Sequence, residues 1–506
     1  MMNSLTKILE NLDKKIISNN KSLDDIYISD ICTDTRNIIK DSIFICLKGA
    51  KFNSHDSIKQ ISQENISCIV VEEISDDDLQ YVNNNHPNLI IIKVDNTRRA
   101  LSIISINYFD RPCDKIKIIA LTGTKGKTTT SFMIKNILEN SGARTGLIGT
   151  VGVIYDDTHI EIVNTTPGSY DLNKYMHDMV EKNIEYLVME VSSQAFKLDR
   201  VYGLKFEYGL FLNISEDHIG PDEHEDYEDY INCKMNIINM SKKLILNIDS
   251  NDASRVYNKA IATLTKANII TTSINTNTFE NNKVDYVAEN IIYDKEKIGI
   301  NFTIHNKQFH IPLIGKYNVY NALIAITFAL SVGIPYEAIE KSISKISVPG
   351  RCELVYKNEN FIIMVDYAHN SVAMENLLST LREFNPTRLV VVFGCGGNRS
   401  KERRYGMGEV GAKYADLNIL TADNSRFEKT TDIINDIKST LIPAGGKYIE
   451  IEDRREAIRY SIENARKGDL IAVIGKGHEP YNEVNGTRTH FLDSEEILKI
   501  INELKL

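Results

Sequence analysis

The stretch Leu121-Thr-Gly-Thr-Lys-Gly-Lys-Thr-Thr-Thr130 constrains this chain more than any other feature. It follows the apolar run Ile116-Lys-Ile-Ile-Ala120 and precedes the helical pattern Ser131-Phe-Met-Ile-Lys-Asn-Ile-Leu138. Strand, glycine loop and helix in that order turn backbone N–H groups and a helix N-terminus toward an anion, and a polyphosphate satisfies both. In that setting Lys127 reaches the β- and γ-phosphates and the Thr128 hydroxyl ligates Mg²⁺. The loop departs from the general G-x-x-x-x-G-K-[ST] pattern, because Leu121 stands at the first glycine position and Gly123 lies three before Gly126. A Gly-Lys-Thr triplet alone also suits a surface turn; the flanking strand and helix favour nucleotide binding.

The 506 residues are expected to form two to four domains. A net charge of −10, without a visible basic stripe, argues against nucleic acid or an anionic membrane as partner. The seven cysteines form no C-x-x-C pair, so neither a disulfide framework nor a zinc site is expected, and a reducing cytosol is the simple reading. The N-terminus lacks the apolar core of a signal peptide, and no run approaches the ~18 apolar residues of a membrane span.

Residues 1–112 mix short strands (Asp41–Lys48, Ile66–Glu72) with a helix over Arg98–Tyr108 closed by Asp110-Arg-Pro112. In 113–347 strands at Tyr186–Glu190, Tyr208–Asn213 and Lys243–Asn247 alternate with helical stretches, which implies a parallel sheet covered on both faces. A strand-rich patch over 283–313 and a helix from about Asn318 to Ser331 follow. Residues 348–506 contain strands at Phe361–Asp366, Leu389–Phe393, Leu417–Thr421 and Asp469–Ile474. Each ends in polar or glycine-rich residues, where open α/β sheets place ligands.

Glu190 ends a buried-looking strand, a natural place for a Mg²⁺ ligand beside a phosphate loop, although a capping acid would look the same. His218 follows another strand end and reads equally as a ligand or a structural histidine. Lys234 on its own is an ordinary helical lysine. Asn318 and Asn321 stand one turn apart, placed to read a base edge or to cap the helix. Four loops, Asp366-Tyr-Ala-His369, Gly394–Arg399, Asp423-Asn-Ser-Arg426 and Gly475-Lys-Gly-His-Glu479, gather groups that bind carboxylates and amines.

These motifs resemble the Mur ligases, and most closely those that add a diamino acid as third residue of the peptidoglycan stem peptide. The matching residues run nearly end to end: Thr33-Asp-Thr-Arg36, Phe44–Gly49 with His55-Asp56, the Gly-Lys-Thr loop, Asn164-Thr-Thr-Pro167, Glu190-Val-Ser-Ser193, Asp217-His218, Lys234, Pro349-Gly-Arg351, Asp366-Tyr-Ala-His369, Gly394-Cys-Gly-Gly397, Asp423-Asn424 and Gly475–Glu479. The resemblance implies three α/β domains: 1–112 for the uridine substrate, 113–347 with a central P-loop-type parallel sheet for ATP, and a Rossmann-like 348–506 for the amino acid. It implies ligation in two steps, through an acyl phosphate and then attack by the incoming amine, in a cytoplasmic protein expected to be a monomer.

By the same resemblance, Gly123, Thr124, Lys125, Gly126, Lys127, Thr128, Thr129, Asn321, Arg351 and Asp366 serve ATP. Thr128, Glu190, His218 and a carbamylated Lys234 hold Mg²⁺, and Lys127, Glu190, His218 and Lys234 form the catalytic group. Thr35, Arg36, His55, Thr165, Thr166, Ser192 and Arg200 meet UDP-N-acetylmuramoyl-L-Ala-D-Glu; Arg399, Asp423, Asn424, Arg426, Gly475 and Glu479 meet the diamino acid. Arg426 favours meso-2,6-diaminopimelate, since its fork suits a distal carboxylate that lysine lacks. Ser425 replaces the family's Pro and is expected to loosen that turn. Leu198, Gly168 and Gln194 also depart from the pattern, and Asp217–Tyr230 is longer by about two residues when anchored on the His224-to-Lys234 spacing. The competing readings are the same ligase using L-lysine or another diamino acid, and a nucleotide-binding paralogue without ligase activity.

Overall fold

A computed structural model describes residues 3–18, 22–49, 52–220, 223–294 and 298–506. Two compact units emerge: Met1–Val287 with Leu323–Ala338, and Ala288–Ala322 with Ile339–Leu506.

The first unit contains a five-stranded sheet in the order Lys15–Ser18, Ile90–Lys93, Ile66–Val71, Ser42–Ile45, Ile31–Cys32. Its strands alternate with period two. Ile43, Ile45, Cys68, Val70, Ile90 and Ile92 pack on one face against Leu5, Ile8, Ile104 and Tyr108. Phe44, Ile69, Val71 and Ile91 pack on the other against Ile58, Ile61 and Val82.

The unit's larger sheet places Lys117–Thr122 between Tyr186–Glu190 and Phe206–Phe211, both parallel to it. Thr145–Gly149 flanks on one side, and Ser241–Asn247 and Ile269–Ser273 on the other, all parallel. Helices on both faces make these strands apolar almost throughout, as in Ile118-Ile-Ala-Leu121 and Leu244-Ile-Leu246. The strand order reverses around Lys117–Thr122, and open sheets of this class bind ligands at such a switch point.

The helix expected from Ser131 starts four residues earlier, at Lys127, and runs to Asn140. Its first turn carries no apolar periodicity because Lys127–Thr130 belong to the phosphate loop. The apolar pattern begins at Met133 and Ile134, where the helix meets the core.

In the second unit Gly299–Ile304 and Lys307–Ile311 form antiparallel pairings within the strand-rich patch read from the sequence. The main sheet has the order Glu353–Lys357, Phe361–Asp366, Asp469–Ile474, Arg388–Phe393, Leu417–Leu420, Tyr448–Glu450, parallel except for its first edge. One face buries Met364, Val391 and Leu470 against helices at Ser371–Glu383, Lys401–Tyr414 and Thr430–Leu441. The other buries Ile363, Val392 and Val473 against Arg454–Glu463 and Asp493–Leu504. Among the described residues no helix is long and apolar enough to cross a membrane.

Candidate active site

The phosphate loop is held from behind by backbone and side-chain contacts. Gly123 has no room for a side chain, since a Cβ would lie 2.9 Å from Leu212 Cβ. Gly126 caps the helix at φ +85°, a left-handed conformation that favours glycine. Asn213, which belongs to no motif, grips Lys125 twice: its side chain accepts from Lys125 N and donates to Lys125 O, both at 2.9 Å. Thr124 is similarly occupied, with its hydroxyl 3.0 Å from Tyr230 OH and accepting from Ser215 N at 3.0 Å. Lys127 Nζ donates to Gly123 O at 2.7 Å and Thr124 O at 3.3 Å, so its charge sits over the loop. Thr128 and Thr129 are buried in the first helical turn.

Glu190 lies at the C-terminal end of its strand, level with Leu121, and is fully buried. Its Oε2 accepts from Thr128 Oγ1 at 3.2 Å and from Thr150 Oγ1 at 3.1 Å. Its Oε1 accepts from Thr150 N at 3.3 Å and Ser131 Oγ at 3.5 Å. A Cβ on Gly149 would fall 2.2 Å from that Oε1, so the carboxylate occupies space a side chain would claim. A hydroxyl and a carboxylate presented together are hard oxygen donors, which fit Mg²⁺.

Lys234 is buried, with Nζ 2.9 Å from Gly123 O and 4.7 Å from the Tyr230 ring centroid. Burial, and next the Lys127 charge, push its amine well below the ordinary lysine range. A neutral buried amine is the nucleophile that carbamylation needs, and the resulting carbamate oxygens suit a hard cation.

His218 is not enclosed. Its side chain is 44% exposed, its φ is +58°, and its Nδ1 lies 3.0 Å from Glu223 Oε1. The buried histidine of this segment is His224, whose Nδ1 lies 2.8 Å from Asp229 Oδ2. Lys197 Nζ binds the same oxygen at 2.7 Å. Pro221 and Asp222, part of the lengthened stretch, lie outside the described residues.

A cavity of about 490 Å³ opens in the first unit, lined by Asp30, Asp34, Arg98, Tyr170, Leu198 and Arg200 among others. Burial, and then the Arg98 charge, lower the Arg200 pKa, and the two guanidiniums share the cavity wall with Asp30, Asp34 and Asp171. Arg200 Nη1 donates to Thr166 O at 2.8 Å. Thr166 is itself locked, its hydroxyl donating to Glu190 O at 2.9 Å and accepting from Ser192 N at 3.0 Å. Ser192 caps the short helix Ser193–Lys197. Thr35, Arg36 and His55 are not among the lining residues. Arg36 folds back onto Asp34, whose carboxyl its side chain holds down at about 2. His55 is buried with both ring nitrogens engaged: Nε2 accepts from Glu72 N at 3.0 Å, and Nδ1 lies 2.8 Å from Asn53 Oδ1.

In the second unit Asn318 donates to Ile314 O at 2.7 Å and accepts from the Asn321 side chain at 2.9 Å, so the two asparagines are tied to each other in the first turns of their helix. Asp366 accepts from Cys352 N at 2.7 Å and Ala368 N at 2.8 Å. Burial raises its pKa, opposed by Arg351, whose guanidinium lies 4.7 Å from the Tyr367 ring centroid. Gly350, at φ +62°, allows His478 N to approach so closely that a Cβ would be 2.2 Å away.

The amino-acid candidates gather around Asn424. Its Nδ2 donates to Glu479 Oε2 at 2.8 Å, and its Oδ1 accepts from Lys476 Nζ at 3.1 Å and Glu483 N at 2.9 Å. Lys476, wholly buried, was not singled out by the motif. Burial lifts the Glu479 pKa, and nearby Asp423 lifts it further. Gly475 at φ +111° leaves room for Asp423, whose Oδ2 would lie 2.7 Å from a Cβ there. Arg426, at φ +51°, donates from Nη1 to Gly397 O at 2.7 Å and stands 3.9 Å from Glu483. Arg399 lies in an exposed stretch of the loop after Phe393. Ser425, at the position of the family's proline, is buried, with its hydroxyl 2.7 Å from Thr430 Oγ1.

A glycine loop at a helix N-terminus beside a buried carboxylate, in a chain whose second sheet carries its own polar loops, gives an α/β fold suited to nucleotide-driven chemistry. The Mur ligase middle domain matches residues 121–329, and the Mur ligase glutamate ligase domain matches 350–477. UDP-N-acetylmuramoyl-L-alanyl-D-glutamate–2,6-diaminopimelate ligases are 38% identical to the chain in Clostridium perfringens (over 98% of this chain and 99% of that protein) and 38% identical in Clostridium botulinum (99% and 100%). A solved structure of an enzyme of the same name superposes over all of both chains, with a TM-score of 0.70 and 26% identity. The chain belongs to the Mur ligase family. It is an ATP-dependent ligase that forms an amide bond.

Proposed function

We propose that this ligase joins meso-2,6-diaminopimelate to the D-glutamate of UDP-N-acetylmuramoyl-L-Ala-D-Glu, in peptidoglycan synthesis in the cytoplasm. The names of its relatives support this substrate pair. The observation on this chain that carries the amino-acid assignment is Arg426, a fork donor in the same loop as Asp423 and Asn424. Asp423 and Glu479 suit an ammonium; Arg426 suits a carboxylate that lysine does not have. Residues 1–112, 113–347 and 348–506 then serve the uridine substrate, ATP and the amino acid.

ATP phosphorylates the glutamate carboxylate to an acyl phosphate, with ADP leaving; the diamino acid's amine then attacks the acyl carbon, and the tetrahedral intermediate expels phosphate as the amide forms. Bringing a carboxylate to a triphosphate sets anion against anion, so positive charge must be concentrated there. Lys127 and the loop amides supply part of that charge from the chain itself. Thr128, Glu190, His218 and Lys234 would hold Mg²⁺, with Lys234 as its carbamate. Arg98 and Arg200 attract the anionic uridine substrate to the cavity. Phosphate release with ATP, Mg²⁺ and UDP-N-acetylmuramoyl-L-Ala-D-Glu, comparing meso-diaminopimelate, L-lysine and L-ornithine, tests the proposal. Turnover with diaminopimelate alone supports it; turnover with lysine or ornithine discards the role of Arg426; none with any acceptor discards the substrate assignment.

A further inference from the structure

Thr150 follows the strand Thr145–Gly149 and touches two groups with different tasks. Its amide and hydroxyl both donate to Glu190, to Oε1 at 3.3 Å and to Oε2 at 3.1 Å. The same hydroxyl oxygen lies 3.2 Å from Thr165 Oγ1. A hydroxyl has one proton, and an ionised carboxylate only accepts. With Glu190 ionised, as a cation ligand must be, the Thr150 proton goes to Glu190 and the proton between the two threonines comes from Thr165. The chain of donors runs one way: Thr165 to Thr150 to Glu190. Thr165 is left with lone pairs alone to offer a bound molecule.

We infer that Thr150 is a positioning residue with two effects. It fixes the Glu190 carboxylate, from both oxygens, in the orientation in which it would meet a divalent cation. It also turns Thr165 into a hydrogen-bond acceptor, so that Thr165 recognises an N–H of the acyl substrate's peptide and not one of its carboxylates. The second effect rests on the substrate proposed above; the first does not. Carboxylates that bind cations depend on hydrogen bonds of this kind to hold their orientation. Without the Thr150 hydroxyl, Thr165 regains a free proton and loses its orientation, and Glu190 loses a donor on the oxygen it shares with Thr128.

Thr150→Val removes the hydroxyl at nearly constant shape; Thr150→Ser keeps it. Mn²⁺ binding in the presence of ADP is measured on the full chain by electron paramagnetic resonance, and binding of UDP-N-acetylmuramoyl-L-Ala-D-Glu by calorimetry. In Thr150→Val, Mn²⁺ is expected to bind about 10-fold more weakly and the uridine substrate about 10-fold more weakly. Thr150→Ser is expected to stay within about 2-fold of wild type on both, since it keeps the donor. The KM for the diamino acid should not move. Mn²⁺ affinity of Thr150→Val equal to wild type overturns the role toward Glu190, as does a Thr150→Ser variant as weak as Thr150→Val. Weakened Mn²⁺ with unchanged uridine-substrate affinity overturns the role toward Thr165. A wild-type protein that binds Mn²⁺ but not the uridine substrate sinks the proposed function instead, and the Mn²⁺ series still decides the first effect.

Discussion

Lys234 Nζ sits 2.9 Å from the carbonyl oxygen of Gly123, the same atom that takes Lys127 Nζ at 2.7 Å. Two ammonium groups sharing one acceptor repel by about 4 kcal/mol at 4 Å in a protein-like dielectric. Lys234, the more deeply buried, is the one driven toward the neutral form. Carbamylation replaces that conflict with an anion beside Lys127: the amine nitrogen bonds to the carbon of CO₂ and a proton leaves. Lys234→Ala should lower kcat by about 10²- to 10³-fold, and a short-chain carboxylic acid should restore part of it. Phosphate release with and without propionate checks this; full activity without rescue would remove Lys234 from the site.

Arg426 is aimed by its surroundings. Its amide donates to Glu483 O at 2.9 Å, its carbonyl accepts from Asn485 N at 2.7 Å, and its guanidinium is tied to Gly397 O. Arg426→Ala should raise the KM for diaminopimelate about 10- to 100-fold, the loss of a charge-assisted hydrogen bond, and leave the KM for ATP within about 2-fold. Arg426→Lys should recover little, because an ammonium lacks the fork. An unchanged diaminopimelate KM would end the assignment.

Much of the fold was legible because its strands are buried on both faces and read as apolar runs. Tyr186–Glu190, Phe361–Asp366 and Asp469–Ile474 lie where the pattern puts them. The helix start at Lys127 was not legible from periodicity, since its first turn buries Thr128, Thr129 and Thr130 and no apolar side chain. At the site, Glu190 stood out by its place at a strand end. Lys234 did not, since helical spacing says nothing of burial, and it entered through family resemblance alone. Thr150 and Asn213 carry no motif of their own; each is a polar residue just past a strand, and only three-dimensional contact shows what it grips. His55 is the converse: a histidine in a matching motif whose hold on Glu72 N no sequence pattern announces.

Gly149 is another residue whose role is visible only in space. A methyl group there would sit 2.2 Å from Glu190 Oε1, inside a buried stretch of strand. Gly149→Ala must displace the carboxylate or the strand. It should cost about 1–3 kcal/mol of stability and raise the Mg²⁺ concentration needed for half-maximal activity. Denaturant unfolding and a Mg²⁺ titration check the two effects separately. A stable variant with an unchanged Mg²⁺ requirement would show that Glu190 can move freely.

Glu479 supplies a test by pH. Burial is the larger cause of its raised pKa, and Asp423 adds to it. A carboxyl whose pKa is higher folded than unfolded binds its proton more tightly in the native state. Its contribution to stability is full below the unfolded value, near 4.5, and is lost as pH climbs through the raised folded value. Glu479→Gln keeps the size and the acceptor toward Asn424 but cannot ionise. Relative to wild type, the variant should therefore gain stability as pH rises from 4.5 through the raised folded value, and level off above it, in the absence of amino acid. Diaminopimelate should narrow that gap in wild type by placing an ammonium beside the carboxylate, and should bind the variant more weakly. Denaturant unfolding of both proteins from pH 4.5 to 7.5, with and without diaminopimelate, measures this. A difference between the two that is flat with pH would mean that Glu479 ionises in the native state as easily as in the unfolded chain.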